Sequence, residues 1–540
     1  MAYFSMHAYD ADVWIRAFRG LNQVDETLNA DPSYATEVLN VETPNGVLQP
    51  HAGFTIMSGE FEDRVETISQ FTRRWYSGVG SKEWLICSAG GKIYYRQVGD
   101  DSGWHPVTLP TGVDAYNSSL WSCVNYEINV QGFTYPRDVM LMSNAQDGMI
   151  MVVPPEEWAL WADVVSYDWP DPDEDDTTWG EDMIAEWTIQ AIDTRSDPTD
   201  ESEPQKKFGV IARYAERIWG GAMPDSPDTL VYSRPYDPTD WTPAGENEQP
   251  EDGAGEIQQP SWDGDSFAAL RQFGNQLIAF KKYRVWRIYG TDPGSYTFNE
   301  QYGGGAPYPE TIAIDVERVL MAEAEGLSSY DGMSVTPLYR AQVKKIWDTV
   351  NKAALHQMCG ALFKNRYYLS IPVDGSDVNN ALLVFDQNEG TILYYRNMQI
   401  ESLLATSEIL YATSSSLPGK VLTIQYDSWL EGKCSGAPTK WVSPWMDFGF
   451  KRIQKGGFDL YFMPEVQNEA VTLRFGIQTE KKTKSKYYTI LPSAKEHKYK
   501  RMHFGGNGRR FRVIIETEEG NTAPWRLKGG LQLVVETDPD

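Results

Sequence analysis

The residues best suited to bind a metal ion are carboxylates that cluster at positions 171–176. They are Asp171, Asp173, Glu174, Asp175 and Asp176. Alternating carboxylates can supply the oxygen ligands that Ca²⁺ prefers, but this run lacks the central Gly and the distal Glu of an EF-hand loop. We therefore interpret it as a solvated acidic loop that serves as a charged lining or a contact arm, with a calcium site as the alternative.

Catalytic signatures are missing from the sequence. It contains no G-x-S-x-G elbow, no H-E-x-x-H, no P-loop and no G-x-G-x-x-G after a strand. The glycines at 303–305 precede a Pro-containing loop rather than a helix N-terminus, so they do not predict phosphate binding. A glycosidase pair of carboxylates stays open, because sequence does not give the distance between two side chains. We expect no enzyme activity and no cofactor.

The cysteines and histidines do not form metal-ligand motifs. Cys87, Cys123, Cys359 and Cys434 are widely scattered without a C-x-x-C, which favours reduced, buried thiols over disulfides or a metal site. His51 has no second His or Cys nearby, so we interpret it as a surface or hydrogen-bonded histidine.

Size and composition indicate a globular protein with more than one domain. The chain has 540 residues, of which 41% are hydrophobic, and it contains 19 Trp and 30 Tyr. Aromatic residues favour strands and are enriched at interfaces. No apolar run approaches the length of a membrane helix, and the N-terminus lacks the pattern of a signal peptide. We expect a soluble protein that is made in a cytoplasm and has no contact with a membrane.

Charge is distributed unevenly along the chain. The net charge is −28, yet residues 438–540 carry 18 Lys and Arg against 12 Asp and Glu. This asymmetry predicts two electrostatically distinct domains, and the acidic part is unsuited to wrapping nucleic acid, because phosphate binding requires Lys and Arg. A second acidic loop, residues 240–265, contains Glu246, Glu248, Glu251 and Asp252.

The basic residues of the C-terminal part are concentrated in two short runs. They are Lys481, Lys482, Lys484, Lys486, Lys498, Lys500 and Arg501. Such runs are commonly the solvated face of a hairpin. The functional alternative is a docking face for an acidic neighbouring subunit or for DNA.

The elements that would position these residues are short strands. Residues 229–290 contain one strand, then a loop rich in Pro, Asp and Gly, then three strands, the first two joined by a Gly274-Asn275 turn. Related strand-turn-strand phrases recur seven times. They occupy residues 84–98, 137–153, 206–223, 266–290, 318–338, 358–373 and 400–427. This spacing predicts an all-β chain forming a β-propeller of six to eight blades, with seven favoured. A pair of β-sandwiches is the alternative.

The expected division of the chain follows from these patterns. Residues 1–80 form a strand-rich arm, residues 81–429 the propeller with acidic insertions at 163–187 and 240–265, and residues 438–540 a basic antiparallel β-sandwich. Apolar residues at helical spacing within residues 340–356 predict the one clear helix, with its apolar stripe packed in the core.

Several phrases resemble the β-propeller virion proteins of tailed bacteriophages, a family that includes tail nozzle and packaged-DNA stabilisation proteins of the portal-proximal tail. These are R-x-F-x-G-L-N at 16–22, SRPYDPTDWTPA at 233–244, FAALRQFGNQLIAFKKYRVWRIYG at 267–290, W-x-S-P-W-M-D-F-G at 441–449 and GRRFRVIIE at 508–516. The resemblance covers residues 16–538. It implies an N-terminal strand that closes the propeller, and for nozzle-type members a homo-oligomeric ring of six copies.

The resemblance also implies a function. The leading hypothesis is a structural component of the virion tail or neck that contacts the portal, adaptor or other tail proteins. Under this hypothesis DNA passes without specific binding, because an acidic lining repels phosphates. A receptor-binding tail protein that binds or hydrolyses carbohydrate is the first alternative, and a non-viral propeller scaffold is the second.

Overall fold

The computed structural model describes residues 10–24, 30–74, 81–100, 102–128, 137–155, 186–258, 265–301, 304–447, 454–492 and 499–538. Strands dominate this part of the chain, which confirms the predicted all-β class. Its helices are short. They are the α-helices Lys344–Trp347 and Ser428–Glu431 and the 3-10 helices Pro44–Gly46, Pro250–Asp252, Pro309–Thr311 and Lys352–Gln357.

The N-terminal strands are short and precede the repeated sheets. They are β1 (Asp10–Ile15), β2 (Glu37–Leu39), β3 (Val41–Glu42), β4 (Gln49–Pro50) and β5 (Phe54–Ile56). In the described residues, the strands that follow build seven four-stranded antiparallel sheets in chain order.

Sheets 1 and 2 contain β6 (Val65–Arg74), β7 (Ser81–Ala89), β8 (Lys92–Gln97) and β9 (His105–Pro106), then β10 (Ser122–Ile128), β11 (Arg137–Asn144), β12 (Gly148–Val153) and β13 (Thr188–Ala191). Sheets 3 and 4 contain β14 (Val210–Tyr214), β15 (Arg217–Gly221), β16 (Thr229–Tyr232) and β17 (Gly255–Gln258), then β18 (Phe267–Phe273), β19 (Gln276–Lys281), β20 (Val285–Tyr289) and β21 (Thr297–Gln301). Sheets 5 and 6 contain β22 (Ala313–Ile314), β23 (Val319–Glu323), β24 (Gly326–Tyr330) and β25 (Val335–Leu338), then β26 (Cys359–Phe363), β27 (Arg366–Ile371), β28 (Ala381–Asp386) and β29 (Thr391–Arg396). Sheet 7 contains β30 (Ile400–Ala405), β31 (Leu410–Ser414), β32 (Leu417–Ile424) and, as its fourth strand, β5.

The seven sheets follow one another around a closed circuit. Contacts between first strands join sheet 2 to sheet 3, sheet 3 to sheet 4, sheet 5 to sheet 6 and sheet 6 to sheet 7. The first strand of sheet 7, β30, lies against β6, the first strand of sheet 1. Separate apolar clusters fill the spaces between neighbouring sheets, including one shared by sheets 4 and 5. Antiparallel sheets stacked face to face around an axis form a β-propeller.

Circular closure depends on a strand from the start of the chain. Residues Leu422, Thr423 and Ile424 of β32 pair with Ile56, Thr55 and Phe54 of β5. The side-chain hydroxyl of Thr423 also lies 3.4 Å from the carbonyl oxygen of Thr55, 368 residues away. Sheet 7 therefore has four strands only because the two ends of the repeated region meet.

Two further sheets are built from both chain ends. The C-terminal strands are β33 (Thr439–Val442), β34 (Gln454–Val466), β35 (Val471–Thr479), β36 (Thr483–Ile490), β37 (Lys500–Gly508), β38 (Phe511–Thr517) and β39 (Trp525–Asp538). Sheet 8 has the order β1-β39-β34-β37, and sheet 9 has the order β2-β33-β38-β35-β36. Their inner faces share one core, in which the Phe462 and Phe475 ring centroids are 4.3 Å apart.

The N-terminal segment is divided differently from the expected arm at 1–80. Only β5 joins the propeller as an outer strand, whereas β1 and β2 pair with β39 and β33. The boundary at residue 80 also falls within the hairpin of β6 and β7, so β6 is the first strand of sheet 1. The pairings of β1, β2 and β5 give no local sequence signal, because each joins segments that are hundreds of residues apart.

The helix expected over residues 340–356 is wrong. The structure has one α-helical turn at Lys344–Trp347 and a separate 3-10 helix at Lys352–Gln357. Asn351 is extended and its side chain accepts a hydrogen bond from the amide of Ala353, which starts a new helix instead of continuing the first. The apolar stripe is nevertheless buried in the core, as its spacing indicated.

Buried polar residues lie where the N-terminal segment meets sheets 6 and 7. We call Glu42, His51, Arg366, Asp386 and Tyr395 the junction cluster. Nε of Arg366 is 2.6 Å from a carboxylate oxygen of Asp386, and both side chains are 4% exposed. The His51 ring stacks on Tyr395 with centroids 4.5 Å apart, and Tyr395 donates a hydrogen bond of 3.4 Å to Glu42.

Burial changes the acid-base properties of the junction cluster. It raises the pKa of Glu42 to about 8, against the favourable charge of Arg366, and lowers the pKa of His51 to about 4. Nδ1 of His51 accepts a hydrogen bond from the Gly53 amide, whereas its Nε2 is buried without a partner. The cluster therefore favours a protonated Glu42 and a neutral His51.

Replacing Thr55 with Pro should loosen sheet 7. The amide of Met57 bonds to Val421 and that of Gln425 to Gly53, so by alternation the amide of Thr55 points toward β32. Losing one ladder hydrogen bond costs about 1 kcal/mol, so amides of β32 should exchange with solvent about fivefold faster in hydrogen-exchange mass spectrometry.

Phe54→Pro is the matched control for Thr55→Pro. The amide of Phe54 points to solvent in this register. An outer strand tolerates proline at such a position, because no ladder hydrogen bond is lost. Equal exchange rates in the two variants would contradict the pairing.

Glu42→Gln should make stability less sensitive to pH between about 5 and 8. Unfolded Glu42 releases its proton near its ordinary pKa of 4.5, but the folded protein holds the proton to about pH 8. Folding thus binds a proton between these values, and the contribution of that proton to stability is lost progressively as pH rises to 8. The melting temperature of Glu42→Gln relative to the natural protein should rise from about pH 5 to about pH 8 and level off above it. The exposed Glu62→Gln serves as the control, and parallel pH profiles for all three proteins would exclude a buried, titrating Glu42.

Candidate interaction surfaces

The predicted basic residues lie on two neighbouring edge strands. β36 is the last strand of sheet 9 and β37 is the last strand of sheet 8, and the two contact each other. We call their exposed cations the basic face. It consists of Lys481, Lys482, Lys484, Lys486, Lys500 and Arg501, and Lys498 lies outside the described residues. The structure therefore brings together two runs that the sequence separates.

Most cations of the basic face have no partner of opposite charge. Arg501 bonds to Asp459 at 2.7 Å, which lowers the pKa of that carboxyl. Within the residues that the structure describes, the five lysines form no ion pair. The ammonium of Lys486 instead lies 5.8 Å from the centre of the Phe504 ring. An acidic partner can therefore pair with these lysines without displacing an existing ion pair.

The residues around the basic face favour a protein interface over an edge whose lysines only prevent strand pairing. Lysines on an edge strand discourage unwanted strand pairing, which is the simpler explanation of their position. However, Tyr487 and Tyr499 are 60% and 50% exposed beside them, and Leu491 is 67% exposed. Exposed aromatic and apolar side chains next to free cations are typical of a surface that another protein covers.

The second acidic loop is an ordered connection at the outer edge of sheet 3. It joins β16 to β17, and Glu246, Glu251 and Asp252 are exposed on it. Glu248 pairs with Arg234 at 2.6 Å, and this contact lowers the pKa of Glu248. Three of the four predicted carboxylates therefore remain free to meet a cation from outside.

A buried arginine fastens the acidic loop to sheet 3. The guanidinium of Arg217 donates hydrogen bonds of 2.7 Å to the carbonyls of Ser233 and Gly253, and it also contacts the carbonyl of Glu251. Arg217 is 1% exposed. The loop thus holds its carboxylates in a fixed position instead of moving freely.

The first acidic loop cannot be described in the same way, because Asp171, Asp173, Glu174, Asp175 and Asp176 lie outside the described residues. Its flanking residues Pro155 and Glu186 lie between β12 and β13, the third and fourth strands of sheet 2. The ordered loop makes the same connection in sheet 3. Pro155 and Glu186 therefore belong to the same connection in sheet 2 that the second acidic loop makes in sheet 3.

The acidic loop and the basic face belong to different sheets. The N-terminal segment that carries β2 bonds to β29, the outer strand of sheet 6, through Leu21 and Asn40. Sheets 8 and 9 are thereby attached at sheet 6, while the acidic loop belongs to sheet 3. In a circuit of seven sheets these positions are nearly opposite.

Metal binding and nucleophilic catalysis each require a particular arrangement of side chains. No set of three potential metal ligands comes together there, and the cysteines of this part of the chain are free thiols. Burial raises the pKa of Cys123 to about 12, which disfavours the nucleophilic thiolate. Ser102 lies between Asp100 and His105 and donates to Asp100 at 2.6 Å, whereas a nucleophilic serine needs the histidine between itself and the acid. No helix of the described chain is long and apolar enough to cross a membrane.

Comparison with known proteins gives only distant similarity. No protein-family model and no curated protein matches the chain. Similar solved structures include a virginiamycin B lyase from Staphylococcus aureus, with a TM-score of 0.36 and 11% identity over 69% of this chain and 98% of that one. The Pan2 WD40 domain of Neurospora crassa has a TM-score of 0.36 and 7% identity over 70% of this chain and 98% of that one. An exo-β-1,3-galactanase from Phanerochaete chrysosporium has a TM-score of 0.23 and 10% identity over 64% of this chain and 100% of that one. Similarity at this level does not assign an activity.

Arg217→Met should release the acidic loop. Hydrogen bonds from a charged donor stabilise by about 1.5–3 kcal/mol each, so losing several should increase local opening at least tenfold. A glutamate-specific protease should then cleave after Glu246 and Glu251 correspondingly faster under native conditions. The partly exposed Arg213→Met is the control, and equal cleavage of the two variants would refute the anchoring role.

Proposed function

We propose that this protein is a ring-forming structural component of a tailed-phage virion, located at the portal, neck or tail. In this proposal the repeated sheets are a seven-bladed propeller, and sheets 8 and 9 are a C-terminal β-sandwich that docks on the next copy. The observation that carries the proposal is the placement of opposite charges. The basic face is exposed on sheets 8 and 9, whereas the acidic loop is exposed on sheet 3.

Opposite placement favours rings over two-fold dimers. One copy's basic face can meet the next copy's acidic loop, because in the described residues the lysines of the basic face form no ion pair with the carboxylates of the acidic loop. A contact between two different surfaces repeats from copy to copy and closes into a ring when the rotation allows. Complementary charge also sets the orientation and speed of such association.

The charge balance fits passage of DNA through such a ring. With residues 438–540 positive and the whole chain at −28, the strongly negative remainder would line a conduit that does not retain phosphates. The resemblance of the sequence to nozzle and DNA-stabilisation proteins supports this role, with six copies and with portal, adaptor or other tail proteins as partners. Virion localisation and DNA ejection are parts of the same proposal.

Charge reversal on each surface tests the proposal. Lys484→Glu with Lys486→Glu should weaken assembly about tenfold or more in analytical ultracentrifugation at low salt, because it places like charges at the contact. Glu246→Lys with Glu251→Lys should do the same. Combining all four substitutions should restore association, since the charges are again complementary.

The control is Lys344→Glu with Lys364→Glu, which changes the net charge equally at other exposed positions. A protein that stays monomeric at all concentrations and salt levels, alone and with portal or adaptor, would contradict ring formation. So would assembly that responds equally to the control and to the basic-face variant.

A further inference from the structure

A cleft of about 450 Å³ lies at the outer edge of sheet 1, apart from both charged surfaces. It is bounded by β8, β9 and the ends of the connection between β12 and β13. The lining residues are Trp84, Tyr95, Gln97, Asp100, His105, Pro106, Thr108, Pro155, Glu186 and Trp187. This volume lies within the range of small-ligand sites in proteins, which is about 300–1,000 Å³.

Aromatic rings form the floor of the cleft. Tyr95 stacks on Trp187 with centroids 4.7 Å apart and planes at 21°, and Trp84 packs against Trp187 at 5.6 Å. Trp84 and Trp187 are 4% and 5% exposed, so they hold Tyr95 from beneath. The partly exposed Tyr95, with the His105 ring 5.4 Å away, presents a rigid apolar surface to the cleft.

Hydrogen-bonding groups surround this floor. Asp100, Gln97, His105 and Glu186 are exposed, and the Thr108 hydroxyl is 3.3 Å from a carboxylate oxygen of Glu186. Burial, with Glu186 nearby, raises the pKa of Tyr95, so its hydroxyl stays a neutral donor. An aromatic floor within a rim of acceptors matches a pyranose ring, which has apolar CH groups on its faces and hydroxyls around its edge.

The charge of the lining restricts the class of ligand. Asp100 and Glu186 supply two carboxylates, and among the described residues that line the cleft none is Lys or Arg. An anionic ligand such as a phosphate, sulfate or uronic acid would therefore be repelled. A neutral hydroxyl or an amine can instead donate hydrogen bonds to these carboxylates.

We propose that this cleft is a carbohydrate-binding site that accepts one or two neutral or amino-sugar units, with Tyr95 as the stacking surface and Asp100 and Glu186 as hydrogen-bond acceptors. The site is contained in a single chain, so the inference holds whether or not the protein assembles into rings. It goes beyond the structural role proposed above by giving the protein a ligand.

The test is a saturation-transfer NMR and calorimetry screen of the full chain. The probes are lactose, maltose, cellobiose, chitobiose, its N-acetylated form and a mannobiose, each at up to about 10 mM, with sialyllactose and glucose 6-phosphate as anionic comparisons. At least one neutral or amino sugar should bind, and the anionic probes should bind at least about tenfold more weakly. Failure of the whole neutral and amino set, or equal binding of the anionic probes, would overturn the proposal.

Variants show whether a bound sugar occupies this cleft. Tyr95→Ala and Glu186→Gln should each weaken binding about tenfold or more, and Asp100→Asn should weaken it less severely. Tyr236→Ala and Glu201→Gln, at exposed positions outside the cleft, are the matched controls. Should Tyr95→Ala fail to fold, the exposed Glu186→Gln and Asp100→Asn decide the question, and unchanged binding in both would place the sugar elsewhere and refute the site.

Discussion

The pairing of β5 with β32 is the contact on which the circular arrangement depends. Each sheet buries one face against the sheet before it and the other against the sheet after it, so an open series would leave two large apolar faces in water. The third strand of sheet 7 would also lack a neighbour. Three residue pairs, contributed by segments about 370 positions apart, complete that sheet and bring it against sheet 1.

Closure from the N-terminal side has a second consequence for the architecture. The chain that supplies β5 has already passed through sheets 8 and 9, so the same segment ties the propeller to the C-terminal sheets. The junction cluster occupies this crossing point, where Arg366 neutralises Asp386 and the neighbouring Glu42 is buried. Breaking such a buried pair leaves an uncompensated charge, which makes the crossing specific as well as stable. The C-terminal module is therefore held at sheet 6 and presents its basic face in one direction.

Local patterns predicted much of the fold. The Gly274-Asn275 turn joins β18 to β19 at the predicted place, with Gly274 at a φ of +59°. The C-terminal strands β34, β35 and β38 carry alternating apolar residues, because one side of each faces the core. β37 has a weaker sequence signal, because its glycines and basic residues have low strand propensity and its pairing with β34 holds it in place. The helix over 340–356 failed because Asn351 caps a new turn.

Sites were harder to predict than strands, since a site depends on which strands become neighbours. The lysines of the basic face were identified from charge alone, but their position on two adjoining edges required the order of sheets 8 and 9. Arg217 gave no signal in the sequence, because its partners are backbone carbonyls. The cleft was also missed. Tyr95 is on β8 and Trp187 directly precedes β13 of the next sheet, and only the folded chain brings their side chains together.

The central claim is that copies of this chain join through two different surfaces to form a closed ring. Cryo-electron microscopy of the purified protein, with portal or adaptor added if it is monomeric alone, tests this claim most directly. We predict closed rings in which the C-terminal sheets of each copy contact the acidic loop of sheet 3 in the next. Isolated monomers under every condition, or two-fold dimers joined through identical surfaces, would contradict the account.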